Sequence, residues 1–194
     1  MKLLLASSSP YRQQLLKQLR IDFDSASPDI DETPLPGENP TSYVQRLAAN
    51  KAAALASDYP QHWIIGSDQT CVLNGSICGK PGSVDQAEAQ LMAASGQRVE
   101  FLTGLCLRAP DGRQWSLVEP FAVQFRPLTP ALVKRYVALE QPLNCAGSFK
   151  VEGLGISLFE ALEGRDFNSL IGLPLIGLRE LLAQADVELL QLAH

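Results

Sequence analysis

HWIIGSDQTCVLNGSIC, residues 62–78, decides the architecture of this chain. His62 to Ile65 reads as a buried strand leading into Gly66-Ser67-Asp68-Gln69, and Thr70–Leu73 and Ser76–Cys78 flank an Asn74-Gly75 pair. Asn-Gly between two β-prone runs signals a two-residue hairpin, because both central residues of that turn take positive φ. A hairpin forces antiparallel pairing, so the sheet is not purely parallel. The same turn sets Cys71 directly opposite Cys78 and presents Asp68 at a strand end. Such a thiol pair is compatible with a redox bond, although free thiols are the commoner state in the cytosol.

Working outward, Leu3–Ala6 is an apolar strand, followed by Ser7-Ser8-Ser9-Pro10 and by Leu15, Leu16 and Leu19 on one helical face. Ser9 is a natural N-cap and Pro10 suits the first helical position, where its missing N–H costs nothing. Residues 28–40 hold four prolines and four acids and read as a loop. A helix from about Thr41 to Ser57 buries Val44, Leu47, Ala48 and Leu55, and Lys51 falls on that stripe. Gly79-Lys80-Pro81 makes a rigid connection to a helix capped by Ser83 and Gln86. Beyond it come long strands Arg98–Ala109 and Gln114–Arg126, then a helix from Thr129-Pro130 to Leu139. Asn144–Gly155 reads as a glycine-rich loop, Ile156–Leu162 as a strand, and Pro174 opens a last amphipathic helix. Helices interleaved with strands, one hairpin among them, predict an α/β protein with a mixed sheet.

With 194 residues, 46% of them hydrophobic, and no low-complexity linker, the chain predicts one domain over residues 1–194. No apolar run is long enough for a membrane span, and Met1–Ala6 turns polar too early for a signal peptide, which predicts a cytoplasmic protein. A net charge of −5 argues against nucleic acid as a partner, so an anionic ligand must meet locally placed cations. Cys71, Cys78, Cys106 and Cys145 lack C-x-x-C spacing, and neither His62 nor His194 has a second ligand nearby, which argues against zinc.

Three groups of residues carry chemistry. Ser7, Ser9 and Arg12 lie at one helix N-terminus, where free N–H groups stabilise phosphate; an ordinary capped helix with a surface arginine accounts for that motif equally well. Lys51, an ammonium on an apolar stripe, either snorkels to water or pairs with an anion, and Lys80 alone reads as a solvated loop charge. Asp31, Glu32 and Asp68 are hard oxygen donors of the kind that bind magnesium or manganese beside phosphate.

Taken in order, S-S-S-P-Y-R at 7–12, D-E-T-P at 31–34, G-S-D-Q at 66–69, G-K-P at 79–81, C-A-G-S-F at 145–149, and L-E-G at 162–164 with G-L-P at 172–174 resemble the Maf-like nucleotide pyrophosphatases over nearly the whole chain. The resemblance implies an elongated mixed sheet flanked by helices, with two lobes around a nucleotide-binding cleft. It implies hydrolysis of a nucleoside triphosphate between the α and β phosphates with Mg2+ or Mn2+, and a homodimer. By the same carry-over, Asp68 accepts the proton of the attacking water and Glu32 helps hold the metal. Lys51 and Lys80 join them in catalysis, while Ser7, Ser9 and Arg12 bind phosphate. Tyr11, Gln69 and Glu152 occupy the positions that separate substrate classes and resemble the subgroup acting on 7-methyl-GTP, although that subgroup usually carries tryptophan in place of Tyr11. The dTTP/UTP subgroup has arginine, threonine and glutamine at these positions. A non-catalytic nucleotide-binding regulator of cell division is the third reading, and an intact Asp68 speaks against it.

Overall fold

The structure, a computed structural model, describes residues 1–194. In chain order its elements are β1 (Leu3–Ala6), α1 (Pro10–Gln18), β2 (Asp24–Ala26), α2 (Pro40–Ala54), β3 (Trp63–Leu73), β4 (Ser76–Cys78), α3 (Val84–Ala94), β5 (Arg98–Arg108), β6 (Gln114–Phe125), α4 (Pro130–Glu140), β7 (Phe159–Glu163), α5 (Phe167–Ile171) and α6 (Leu175–Gln184). Side-chain caps set five helix starts: Ser9, Asn39, Ser83, Thr129 and Asp166 accept from the N–H groups of Arg12, Ser42, Gln86, Leu132 and Asn168. No helix is long and apolar enough to cross a membrane.

One mixed sheet runs in the order β2-β1-β3-β5-β6-β7, with β4 folded back on β3 through the Asn74-Gly75 turn, both of whose residues have positive φ. β1 is parallel to β2 and β3, whereas β3, β5, β6 and β7 pair antiparallel. β3 is one uninterrupted strand, so Asp68 sits mid-strand opposite Gly104 and not at the strand end that the sequence suggests. Ser67-Asp68-Gln69 are held extended by full-length pairing with β5, which local propensity does not reveal. Only one edge of β3 is broken. β1 pairs with it as far as Gly66, β4 begins again at Cys71, and residues 67–70 have no strand on that side.

Strand alternation divides the two faces of the sheet. Gly66, Asp68 and Gly104 look toward α2, and the two glycines let that helix lie unusually close. A Cβ at Gly66 would stand 2.1 Å from the Ala48 carbonyl oxygen, and one at Gly104 would stand 2.2 Å from that of Val44. On the other face two cores form at opposite ends. Leu3, Leu5, Ile65, Leu105 and Leu107 pack under α1 and α6, while Val99, Phe101, Val123 and Phe125 pack under α3 and α4. The expected two lobes are these two ends of a single sheet.

Two further expectations are corrected. Leu154–Leu158 is a 3-10 turn, and strand β7 starts only at Phe159, because Gly155 folds back onto the Lys150 carbonyl instead of extending. β2 and the short α5 are not anticipated by the sequence; each is too brief to show a period and exists through its tertiary partners.

Candidate active site

The break in the β3 edge is where the cavity lies. Its volume is about 460 Å3, and it is lined by the end of β1 and start of α1, by Asp68, Gln69 and Thr70 of β3, by Ile77 to Lys80 leaving β4, and by the 144–152 segment. Ser7, Ser9, Tyr11, Arg12, Glu32, Lys51, Asp68, Gln69, Lys80 and Glu152 all line it. Every residue singled out for substrate or metal is thus brought to one place from separate segments of the chain, with one exception. Asp31, the remaining acid of its group, stays outside: its carboxylate accepts from the Thr33 N–H at 2.8 Å in a local turn, exposed and away from the cavity.

At the centre Lys51 Nζ lies 2.6 Å from Asp68 Oδ1 and 2.7 Å from Glu32 Oε1. Lys51 is 6% exposed and Asp68 likewise, so the ammonium does not snorkel. Glycines 66 and 104 make this contact possible, because they seat α2 low enough on the sheet for its lysine to reach the strand beneath. Burial pushes the Glu32 carboxyl up, but the Lys51 hydrogen bond and charge, with Lys80 and Arg12 behind them, outweigh it and hold it below the ordinary value. Glu32 arrives on a loop pinned to α2. Tyr43 donates to the Glu32 carbonyl at 3.0 Å, and Arg46 makes a two-pronged ion pair with Glu38 while donating to the Thr33 carbonyl. Neither Tyr43 nor Arg46 stands out in the sequence. Both precede Lys51 on the same helix, within about two turns of it, and that proximity is the signal that could have found them.

Arg12 marks one end of the cavity. Its Nε donates to the Gly172 carbonyl at 2.8 Å and an Nη to Ser7 Oγ at 3.4 Å, which leaves the rest of the guanidinium available. Burial lowers its pKa and the charges of Asp68 and Glu32 partly restore it. Ser7 Oγ also accepts from the Ser9 N–H, and Ser9 Oγ caps α1, so both hydroxyls keep a proton to donate. A ladder of buried hydroxyls fixes the floor: Ser67 donates toward the Gly104 and Gly172 carbonyls, and Thr103 donates to that of Ser169.

At the other end stand Tyr11, Cys145 and Glu152. The Tyr11 phenol is raised by burial first and then by the nearby Cys145, Glu152 and Glu140. Gln69 has its amide nitrogen committed to the Ser169 and Leu170 carbonyls at 2.7 and 3.0 Å, so its side-chain carbonyl oxygen is the group it can offer a ligand.

Charged lining residues balance at three cations, Arg12, Lys51 and Lys80, against three anions, Glu32, Asp68 and Glu152. No group of three or more His, Cys, Asp or Glu is arranged to hold a metal ion. Two carboxylates sharing one ammonium and facing an open, polar cavity fit a hard divalent cation that keeps water and takes its other ligands from phosphate oxygens. They do not fit zinc.

A mixed α/β sheet with a charge-balanced cleft in its broken edge is the class these features define. The family profile described as Maf-like protein matches residues 2–185, and the chain belongs to that family. It is 60% identical over 188 residues to the 7-methyl-GTP pyrophosphatase of Alcanivorax borkumensis, with 96% of this chain and 95% of that one covered. It is 54% identical over 188 residues to the 7-methyl-GTP pyrophosphatase of Pseudomonas aeruginosa, with 96% and 98% covered. Among solved structures, the Staphylococcus aureus Ham1 protein aligns over 64% of this chain and 72% of its own at 17% identity, with a TM-score of 0.47.

Proposed function

We propose that this chain hydrolyses 7-methyl-GTP to 7-methyl-GMP and pyrophosphate. The observation that carries the reading is the convergence of Asp68, Glu32 and Lys51 with Arg12 and Lys80 in one cavity, together with the names of relatives that match nearly end to end.

Asp68 takes the proton of the attacking water. Lys51 engages its Oδ1 and holds the carboxylate in place, leaving Oδ2 as the basic atom. Arg12, Lys80 and the Ser7 and Ser9 hydroxyls bind the phosphate chain and stabilise the charge that develops on pyrophosphate as it leaves. A triphosphate brings about four negative charges, which three cations already matched by three carboxylates do not neutralise. A divalent cation, Mg2+ or Mn2+, held by Glu32 and Asp68 would supply the missing charge and polarise the phosphate oxygens.

The base is read at the Tyr11 end. N7-methylation makes guanine cationic, so its stacking on Tyr11 gains a cation–π component, and the Glu152 carboxylate accepts guanine's N1–H and N2–H. Gln69, with its amide nitrogen occupied, adds a further acceptor. These three groups favour a cationic, donor-rich base over a neutral one.

Pyrophosphate release with Mg2+ or Mn2+ across 7-methyl-GTP, GTP, dTTP, UTP, CTP and ITP tests this. The expected result is a strong 7-methyl-GTP preference and loss of turnover with nucleotide binding retained in Asp68→Asn. Preference for dTTP or UTP would overturn the base assignment, and full activity in Asp68→Asn would overturn the assigned base catalyst.

A further inference from the structure

We propose that Glu140, which lies outside the cavity lining, is a positioning residue for base recognition: it locks the turn that carries Glu152. The inference rests on the reading of Glu152 as the base-recognising carboxylate.

Glu152 is exposed and forms no ion pair or hydrogen bond within the chain, so nothing it touches holds it in place. Its position is inherited from residues 150–155, whose backbone is closed on itself by the N–H groups of Gly153 and Gly155, both donating to the Lys150 carbonyl at 3.2 and 3.0 Å. That closed turn is then attached to α4 at three points. The Lys150 N–H donates to the hydroxyl of buried Tyr136 at 3.0 Å. Lys150 Nζ donates to the Glu140 backbone carbonyl at 2.7 Å, a cation placed on the negative end of a helix. The Leu154 N–H donates to Glu140 Oε1 at 3.1 Å. The first two contacts hold the N-terminal side of Glu152 and only Glu140 holds the C-terminal side.

Gly153 shows how closely that carboxylate is packed. A Cβ there would stand 2.9 Å from Glu140 Oε2 and 3.0 Å from Oε1, although φ at Gly153 is −117°, outside the left-handed region that favours glycine. A side chain at 153 would therefore push the Glu140 carboxylate aside, and no positive φ is involved. A residue that makes no contact with the cavity yet shapes the turn beside it, through a charge-assisted bond to a main-chain N–H, acts on where Glu152 points.

Glu140→Ala removes the acceptor, Glu140→Gln keeps a neutral one, and Gly153→Ala displaces the carboxylate from the other side with one methyl group. For Glu140→Ala and Gly153→Ala the expected result is a KM for 7-methyl-GTP raised about three- to tenfold, the range one such hydrogen bond commands. Their kcat and their KM for CTP, which lacks guanine's N1–H and N2–H, stay near wild type, so the preference for 7-methyl-GTP over CTP falls; amide exchange at residues 151–155 accelerates; Glu140→Gln restores most of the preference. Glu152→Gln is measured in parallel. If it keeps the wild-type preference, the reading of Glu152 has failed. If it loses the preference while Glu140→Ala and Gly153→Ala keep theirs, the positioning role of Glu140 has failed. A loss in Glu140→Ala shared equally by all nucleotides, or confined to kcat, also overturns the proposal.

Discussion

Replacing Lys51 with methionine keeps an unbranched side chain on the buried stripe of α2 and deletes the ammonium. Lys51 is almost fully buried and lies within 2.7 Å of both Glu32 and Asp68, so the variant leaves Asp68 as a buried carboxylate with no hydrogen-bonded cation and a second carboxylate nearby. Removing one partner of a buried pair costs about 3–5 kcal/mol. Glu32 retains half its side-chain exposure and can turn to water, which places the expected loss near the low end, about 3 kcal/mol. For a chain of this length that lowers Tm by about 6–12 °C. Urea or thermal unfolding at pH 7 measures it, and the Lys51→Met/Asp68→Asn double variant should recover about 2 kcal/mol of it through the coupling between the two sites. A Lys51→Met protein within about 0.5 kcal/mol of wild type would refute the claim that this lysine is held by the two carboxylates.

Gly66→Ala and Gly104→Ala each force a methyl into backbone atoms of α2, and each is expected to cost more than about 3 kcal/mol or to abolish soluble expression; Gly75→Ala, with no atom near its Cβ, should cost far less despite its positive φ. Arg46 holds the Glu38 carboxyl down to about 2 from its ordinary range. Because that folded-state value is depressed, the stabilisation is present above about pH 4.5 and is lost as pH falls through 2, so Glu38→Gln should flatten the acid limb of stability between those values; an unchanged limb would contradict the ion pair. Cys78 sits on the cavity wall and its thiol is pulled down to about 6 by the hydrogen bond from Cys71. Its iodoacetamide labelling should therefore reach half its maximum near pH 6, and move toward the ordinary thiol range of about 8.5 in Cys71→Ala, which deletes the donor. Half-labelling near about 8.5 in the wild-type protein would show that the two thiols do not communicate.

Much of the site is legible in the sequence, for reasons that differ from residue to residue. Ser9-Pro10 and Asn74-Gly75 encode their conformations locally, through a side-chain cap and a positive-φ turn, so α1 and the hairpin lie where the sequence places them. Candidate site residues stand out as polar groups in places where propensity and burial give no account of them: Lys51 on an apolar stripe, Asp68 beyond a buried run. Asp31 is indistinguishable from Glu32 in the sequence, since neighbouring acids in a proline-rich loop look alike until the loop is pinned; Tyr43 and Arg46 pin it so that Glu32 enters the cavity and Asp31 does not. The continuous path of β3 through Ser67-Asp68-Gln69 and the existence of α5 depend on β5 and on buried hydroxyls whose partners lie more than 30 residues away.

The sequence by itself determined the longer helices, the hairpin and the mixed character of the sheet, because caps, turns and hydrophobic periodicity are decided within a few residues of chain. It also supplied the inventory of charges. Only the tertiary structure decided that Lys51 reaches Asp68, since that contact depends on how low α2 lies over Gly66 and Gly104, two glycines far apart in the chain that lack any local mark. The tertiary structure likewise decided where the cavity opens, because a gap between two strands pairing with a third is a property of registers, and registers are set by contacts that no short stretch of sequence contains.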